Sequence, residues 1–311
     1  MKRISTTWIF ALIALALCGD IQASGLNRWV IKGFDAIQND KPEKALRHFQ
    51  QACDADPASA QYECYLGLAH FKNGSFNEAL HHYARAAHRD PSVIDSAFLY
   101  YKASCYRALG LVTLERAAWK GVIQWDPDSK FADTAMRGLN DSATRTPASV
   151  EAIIASGSAL IPVANPGKWL EFAATEYFRE AFLQPENEFS THAAVALAQG
   201  LNLTQRHQDV LDLERRIDAG HDLVHDWEVQ RALAMMGMGD WTAALESLSG
   251  TDFSPHIAAN AEYLRIICNL ELGNREEALA VLPSGGNDAD TQILATLNRL
   301  AQISAAAPIG Q

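Results

Sequence analysis

The sequence predicts an all-α chain of antiparallel helix pairs. Residue types return after 34 positions, glycine and proline hold fixed places within that period, and no useful stretch alternates apolar with polar as a strand would. Trp29, Gly33, Ala45, Phe49, Ala52 and Pro57 map onto Glu63, Gly67, Ala79, Tyr83, Ala86 and Pro91. All but the first of these pairs keep their character. A third unit follows with a two-residue offset, Tyr106, Gly110, Trp119 and Pro127 standing where His70, Gly74, Tyr83 and Pro91 stand. It departs at Glu115, where the pattern asks for Ala, and the neighbouring Ala117 and Ala118 are expected to make the close contact instead. Near the C-terminus Gly239, Ala244 and Leu245 recur as Gly273, Ala278 and Leu279, and earlier as Gln205, Val210 and Leu211. A weaker unit before these carries Trp169, Ala173, Tyr177 and Pro185 in the same order.

Each element has a physical reason. Gly33 and Gly67 lie midway along first helices, where a missing side chain lets the partner helix approach, and Ala45 and Ala79 do the same from the facing helix. Phe49 and Tyr83 fill the space beside them. Gly74, Gly110, Gly239 and Gly273 end first helices, because a tight turn there needs left-handed backbone. Pro57, Pro91, Pro127 and Pro185 stop second helices. In the weak unit Trp169, Ala173, Tyr177 and Ala181 share one helical face. From Ser129 to Ala143 an extra helix is expected, its Asp133, Arg137 and Asn140 suiting a polar cap. The polar stretch Asp141 to Ala148, with Pro147, is the expected domain boundary. A last helix over 288–303 closes the C-terminal end, since an open final repeat would leave an apolar face in water.

These residues resemble the tetratricopeptide repeat family, over most of the chain beyond residue 23. The resemblance implies a right-handed α-solenoid: repeats at 26–59, 60–93 and 96–129 with their capping helix in a domain of 24–144. It implies four further repeats at 154–187, 191–224, 225–258 and 259–292 in a domain of 145–305, then a loose tail at 306–311. It also implies work done by holding other proteins or peptides on a concave side lined by first helices. The family's contact places fall here on Val30, Phe34, Ile37, Cys64, Leu68, Phe71 and Tyr100, with Lys72 and Arg107 at the edge. An apolar peptide with an acidic group suits such a surface. Packing against neighbouring helices suits the same side chains equally. A second groove falls on Val229, Leu233, Met236, Tyr263, Ile267 and Leu270, rimmed by Asp226, Glu228, Glu262 and Glu271. The Lys/Asn set by which some such proteins grip a C-terminal carboxylate is absent from the matching places. The junction Trp125 to Ala132 looks like those of bacterial cell-envelope members of the family.

Charge and motifs narrow the function. A net charge of -11 makes nucleic acid an unsuitable partner. Arg85 to Arg89 and the Arg215-Arg216 pair read as solvated helix faces. Lys2 and Arg3, the uncharged run Trp8 to Leu17 and the small Ala23 follow signal-peptide grammar over 1–23, so the protein is expected to be exported, periplasmic or secreted. Membrane association is expected only if Cys18 is lipidated, and Leu17 stands where such a signal wants a small residue. Cys105 and Cys268 occupy places where the repeat buries a small residue. Cys53 and Cys64 lie at the end of one helix and in the next, which permits a disulfide in an oxidising compartment, but their places in the repeats favour plain burial. His221 and His225 have metal-ligand spacing, which Gly220 and Asp222 break by starting a helix between them. His70, His81, His82 and His88 surround one hairpin as surface or interface residues. Asp288 and Asp290 lack the rest of a calcium loop. No GxSxG, P-loop or HExxH motif is present. The expectation is a non-catalytic scaffold of the cell envelope without metal or cofactor. Two alternatives are a glycan-positioning accessory using Trp125, Trp169, Trp227 and Trp241, and a self-assembling structural protein.

Overall fold

The computed structural model describes residues 26–162, 169–186, 188–218, 220–250 and 252–280. The expected leader with Cys18, the helix over 288–303 and the tail lie outside them. Among the described residues every regular element is helical. Contacts divide the chain into two compact units, one reaching Gln205 and taking in Arg215–Ile217, the other formed by Arg206–Glu214 and the residues from Asp218 on.

In the first unit three helix pairs follow one another: α1 (Leu26–Gln38) with α2 (Pro42–Ala55), α3 (Ala60–Lys72) with α4 (Phe76–Arg89), and α5 (Ser96–Leu109) with α6 (Val112–Trp125). The small residues act as the period requires. A methyl on Gly33 would run into the Phe49 ring, and one on Gly67 would come within 3.1 Å of Tyr83. Ala45, Phe49 and Ala79 are fully buried. Each turn between paired helices is left-handed, with φ of 76° at Gly74, 74° at Gly110, 80° at Gly239 and 79° at Gly273. The equivalent turns at Asp40 (φ 54°) and Gln205 (φ 59°) use the same conformation without a glycine. For residues with a Cβ that conformation costs roughly 1–2 kcal/mol. Second helices stop at Ala55, Arg89 and Trp125, two residues before Pro57, Pro91 and Pro127.

Helix α7 (Ala132–Ala143) covers most of the stretch where an extra helix is expected and packs on α6. Gly138 permits it: a methyl there would meet the Trp119 indole at 2.6 Å. The expected boundary at 141–148 falls inside this unit, and a cluster of polar bonds explains why. Arg116 donates to the carbonyls of Ser142 (3.0 Å) and Arg145 (2.8 Å), while Arg145 reaches back to the fully buried Glu115 carboxylate. Glu115 also accepts from the Trp119 indole at 3.1 Å. The departure from Ala at this place is therefore filled by Glu115 itself, its charge offset by Arg145; of the two neighbouring alanines, Ala118 is buried in the core while Ala117 stays exposed. Beyond it α8 (Val150–Ser158), α9 (Glu171–Phe182) and α10 (Ser190–Leu203) pack on one another, and α9 also lies against α4. Val150, Ile153, Ala173, Tyr177 and Ala181 share a core with Leu80, Tyr83 and Trp119. Trp169 precedes α9 and donates to the Pro162 carbonyl at 2.9 Å.

The second unit holds α11 (His207–Leu211), α12 (Val224–Gly237), α13 (Trp241–Ser249), α14 (Pro255–Glu271) and α15 (Arg275–Ala280). Its core gathers Val229, Ala232, Ala244, Leu248, Ile257, Ala261, Leu264 and Cys268. The expected repeat 191–224 is split between the units, its second helix reduced to the five residues of α11 and a 3-10 turn at Glu214–Arg216. The repeat 259–292 is described as far as Ala280.

Candidate functional site

The contact places of the first groove come from the outward faces of α1, α3 and α5. Their side chains are neither free nor fully packed away. Val30, Phe34 and Ile37 are half-buried against a core of Ala36, Phe49, Tyr65 and Leu66. The Phe34 ring stands 5.3 Å from Phe49 and 4.8 Å from Tyr65, both edge-on. Cys64, Leu68 and Phe71 are also half-buried, and Phe71 meets Phe76 at 5.8 Å and Tyr101 at 5.3 Å. Lys72 is exposed at the end of α3. Tyr100 is less open, because Phe131 covers it at 4.7 Å and Trp119 abuts it at 5.7 Å. Arg107 is exposed but paired with Asp141 at 3.1 Å. The apolar strip with an accessible cation therefore runs from Val30 to Phe71 and Lys72.

Away from that strip, three buried carboxylates, Glu63 of α3 and Glu176 and Glu180 of α9, form a polar construction that periodicity does not reveal. Glu63 in α3, 3% exposed, accepts from Arg85 (2.7 Å), Arg89 (3.0 Å) and His82 (2.8 Å) of α4. Burial pushes its carboxyl up, but the His82 hydrogen bond and the Arg85 charge outweigh it and hold the group at about 2. Arg85 and Arg89 are thus partners of a buried acid, a correction to their reading as a solvated face. Beside them, burial and the neighbouring His82 push His70 down to about 4 and His81 to about 3. His81 is buried and stands edge-on to Phe172 of α9 at 5.6 Å.

Helix α9 brings the other two carboxylates. Glu176 accepts from Lys102 (3.0 Å) and Tyr106 (2.8 Å) of α5, and Glu180 accepts from the backbone N–H groups of Thr113 and Leu114, both at 2.8 Å. Those two amides open α6, whose preceding residue Leu111 has no side-chain oxygen to cap them. A remote glutamate does the capping. Burial raises the Glu176 carboxyl, and Lys102 and Arg179 reverse this to hold it at about 2. Tyr177 adds a hydrogen bond to Asn77 of α4 at 3.0 Å.

Other sequence candidates disperse. In the second groove Val229 is buried in the core, Leu233, Met236, Tyr263 and Ile267 are half-buried, and Leu270 is 42% exposed. Of the rim acids, Glu228 is tied to Ser247 and Arg231, while Glu262 and Glu271 are exposed. Arg216 pairs with Glu186 at 3.5 Å and lies over the Phe182 ring at 4.6 Å. Cys53, Cys64, Cys105 and Cys268 are free thiols, the first three pushed up to about 12 chiefly by burial. His221 lies outside α12, and each of the His221 and His225 Nδ1 atoms accepts a separate backbone N–H, from Leu223 and Ser254. Among the described residues no group of three or more His, Cys, Asp or Glu could hold a metal. Of the four tryptophans considered for glycan contact, Trp227 is 2% exposed, Trp169 and Trp241 are half-buried, and Trp125 is 59% exposed.

Residues 33–94 and 65–129 match the family model described as Tetratricopeptide repeat. No curated protein matches the chain. Solved structures similar to it include a tetratricopeptide repeat protein from Parabacteroides merdae, 17% identical, covering 87% of this chain and 97% of that one with a TM-score of 0.36. A yeast structure titled as the TPR2AB domain of Sti1 with pHSP90 is 12% identical over 84% of this chain and 96% of that one, TM-score 0.34. The TPR domain of P58(IPK) is 12% identical over 80% and 66%, also at 0.34. The family match coincides with the three helix pairs that repeat most regularly. Residues 33–129 accordingly match tetratricopeptide repeats, in a chain whose regular elements are all helical among the described residues.

Proposed function

We propose that the protein is a non-catalytic scaffold of the cell envelope that binds segments of partner proteins along the first helices of its N-terminal repeats. The observation that carries this is the half-buried apolar strip of Phe34, Ile37, Cys64, Leu68 and Phe71, which ends on exposed Lys72 while α9 occupies a different side of the same repeats, against α4. An apolar surface of that kind recognises an apolar peptide, and Lys72 favours an acidic residue beside it. Lys2, Arg3 and the run Trp8 to Leu17 support export, which would bring the groove to partners outside the cytoplasm.

Affinity capture from envelope extracts tests the reading. The wild-type chain retains a partner that Lys72→Glu retains less and that Phe34→Asp with Leu68→Asp loses, while circular dichroism of Lys72→Glu is unchanged. A partner held equally by all three proteins would sink the groove, and binding of glycan that survives all the substitutions would favour a polysaccharide ligand instead.

A further inference from the structure

The first helix pair carries a second surface, of different chemistry, on the side of α1 away from the groove. Trp29 is its centre. The Arg28 guanidinium lies 4.5 Å from the indole centroid, the Lys32 ammonium 5.2 Å, and the His48 ring of α2 is stacked against it at 5.9 Å. One helical turn before His48, Lys44 is exposed, as are Arg28, Lys32 and Arg47. The same turn of α1 exposes Ile31 by 56%. None of Arg28, Lys32, Lys44 and Arg47 makes an ion pair among the described residues, whereas Arg85, Arg89 and Lys102 of the later repeats and Arg145 beyond them do. Asp35, the acid on this side of α1, is engaged by the Asn39 side-chain amide. The cations are scattered along the sequence, and pairing of α1 with α2 gathers them.

We propose that this face docks on an anionic phospholipid surface. A tryptophan flanked by Arg and Lys, with an aliphatic side chain beside it, matches the boundary between headgroups and acyl chains: the amphipathic ring sits at headgroup level and the cations meet phosphate. The chain's overall negative charge does not prevent this, because charges beyond about 10 Å are screened at ~0.1 M salt while the local cations are in contact. It does impose direction, since acidic regions elsewhere are repelled by the same surface.

Co-sedimentation of the full chain with phosphatidylcholine vesicles, with and without phosphatidylglycerol, tests the proposal. The apolar run contributes to both vesicle types, so the patch is read as the excess binding that phosphatidylglycerol confers. That excess falls about fivefold for each of Arg28→Gln, Lys32→Gln and Lys44→Gln, and falls as salt is raised. Lys120→Gln, a neutralisation on α6, leaves it unchanged. Equal binding to both vesicle types would overturn the proposal, as would an excess undiminished when Arg28→Gln, Lys32→Gln and Lys44→Gln are combined, or one abolished by free inorganic phosphate at constant ionic strength.

Discussion

The first helix pair and helix α9 are both attached to the repeats of the first unit, and only α9 does so with buried carboxylates as well as apolar packing. The α1–α2 pair closes through shape: Gly33 admits the Phe49 ring, Ala45 and Ala52 are fully buried, and Phe34 and Tyr65 complete an aromatic cluster. Helix α9 adds charge to an apolar contact: beside Ala173, Tyr177 and Ala181, the buried Glu176 and Glu180 reach Lys102, Tyr106 and the amides that begin α6. Shape complementarity loses stability in proportion to the volume removed. A buried carboxylate with two or three donors fails all at once when it is deleted, since the donors are left unpaired in a dry place.

The largest test of that contrast is Phe49→Ala, which empties a fully buried aromatic site and is expected to cost about 3–5 kcal/mol in urea unfolding. Glu180→Leu follows, at about 2–4 kcal/mol, because it strands the Thr113 and Leu114 amides. Hydrogen exchange separates the two. Glu180→Leu speeds exchange at Thr113 and Leu114 with little change in α1 and α2, and Phe49→Ala does the reverse. Uniform acceleration in both variants would dissolve the contrast.

Acid adds a smaller effect, with a definite sign. His70 and His81 are held below their ordinary value of 6.5, so the unfolded chain takes up protons that the folded chain refuses, and stability declines as pH falls below about 6.5. Glu63 and Glu176, held at about 2 against 4.5, contribute stability that is complete above 4.5 and is lost as pH falls towards 2. Thermal denaturation against pH should therefore show a decline in two stages. His81→Phe keeps an aromatic ring beside Phe172 and flattens the upper stage; a slope unchanged by it would remove His81 from the account. Smallest is a gain: Asp40→Gly and Gln205→Gly relieve left-handed backbone and each is expected to raise stability by about 0.5–1 kcal/mol.

The helix pairs were legible because their determinants are local and periodic. Gly74 and Gly110 declare their turns by residue type, and Asp40, between Asn39 and the Lys41-Pro42 pair, is also a turn former, whereas Gln205 is found only by carrying the 34-residue shift onto a residue that does not look like one. Glu115 was visible as a departure but not as half of an ion pair, because Arg145 sits in a stretch whose composition reads as a linker. Glu176 and Glu180 look like the polar face of an amphipathic helix, and nothing within α9 indicates that their partners lie 66 to 74 residues earlier. The groove strip follows from the repeat register; the cationic face around Trp29 does not, since it exists only once two helices are paired.

The Glu180 cap also sets an order of events. Helix α6 cannot have its first amides satisfied by the native partner until residue 180 has been made, 66 residues after Leu114. At roughly 5–20 residues per second that is an interval of about 3–13 s. For that time the third repeat is a nascent structure with an open helix start, and α9 arrives as the piece that completes it.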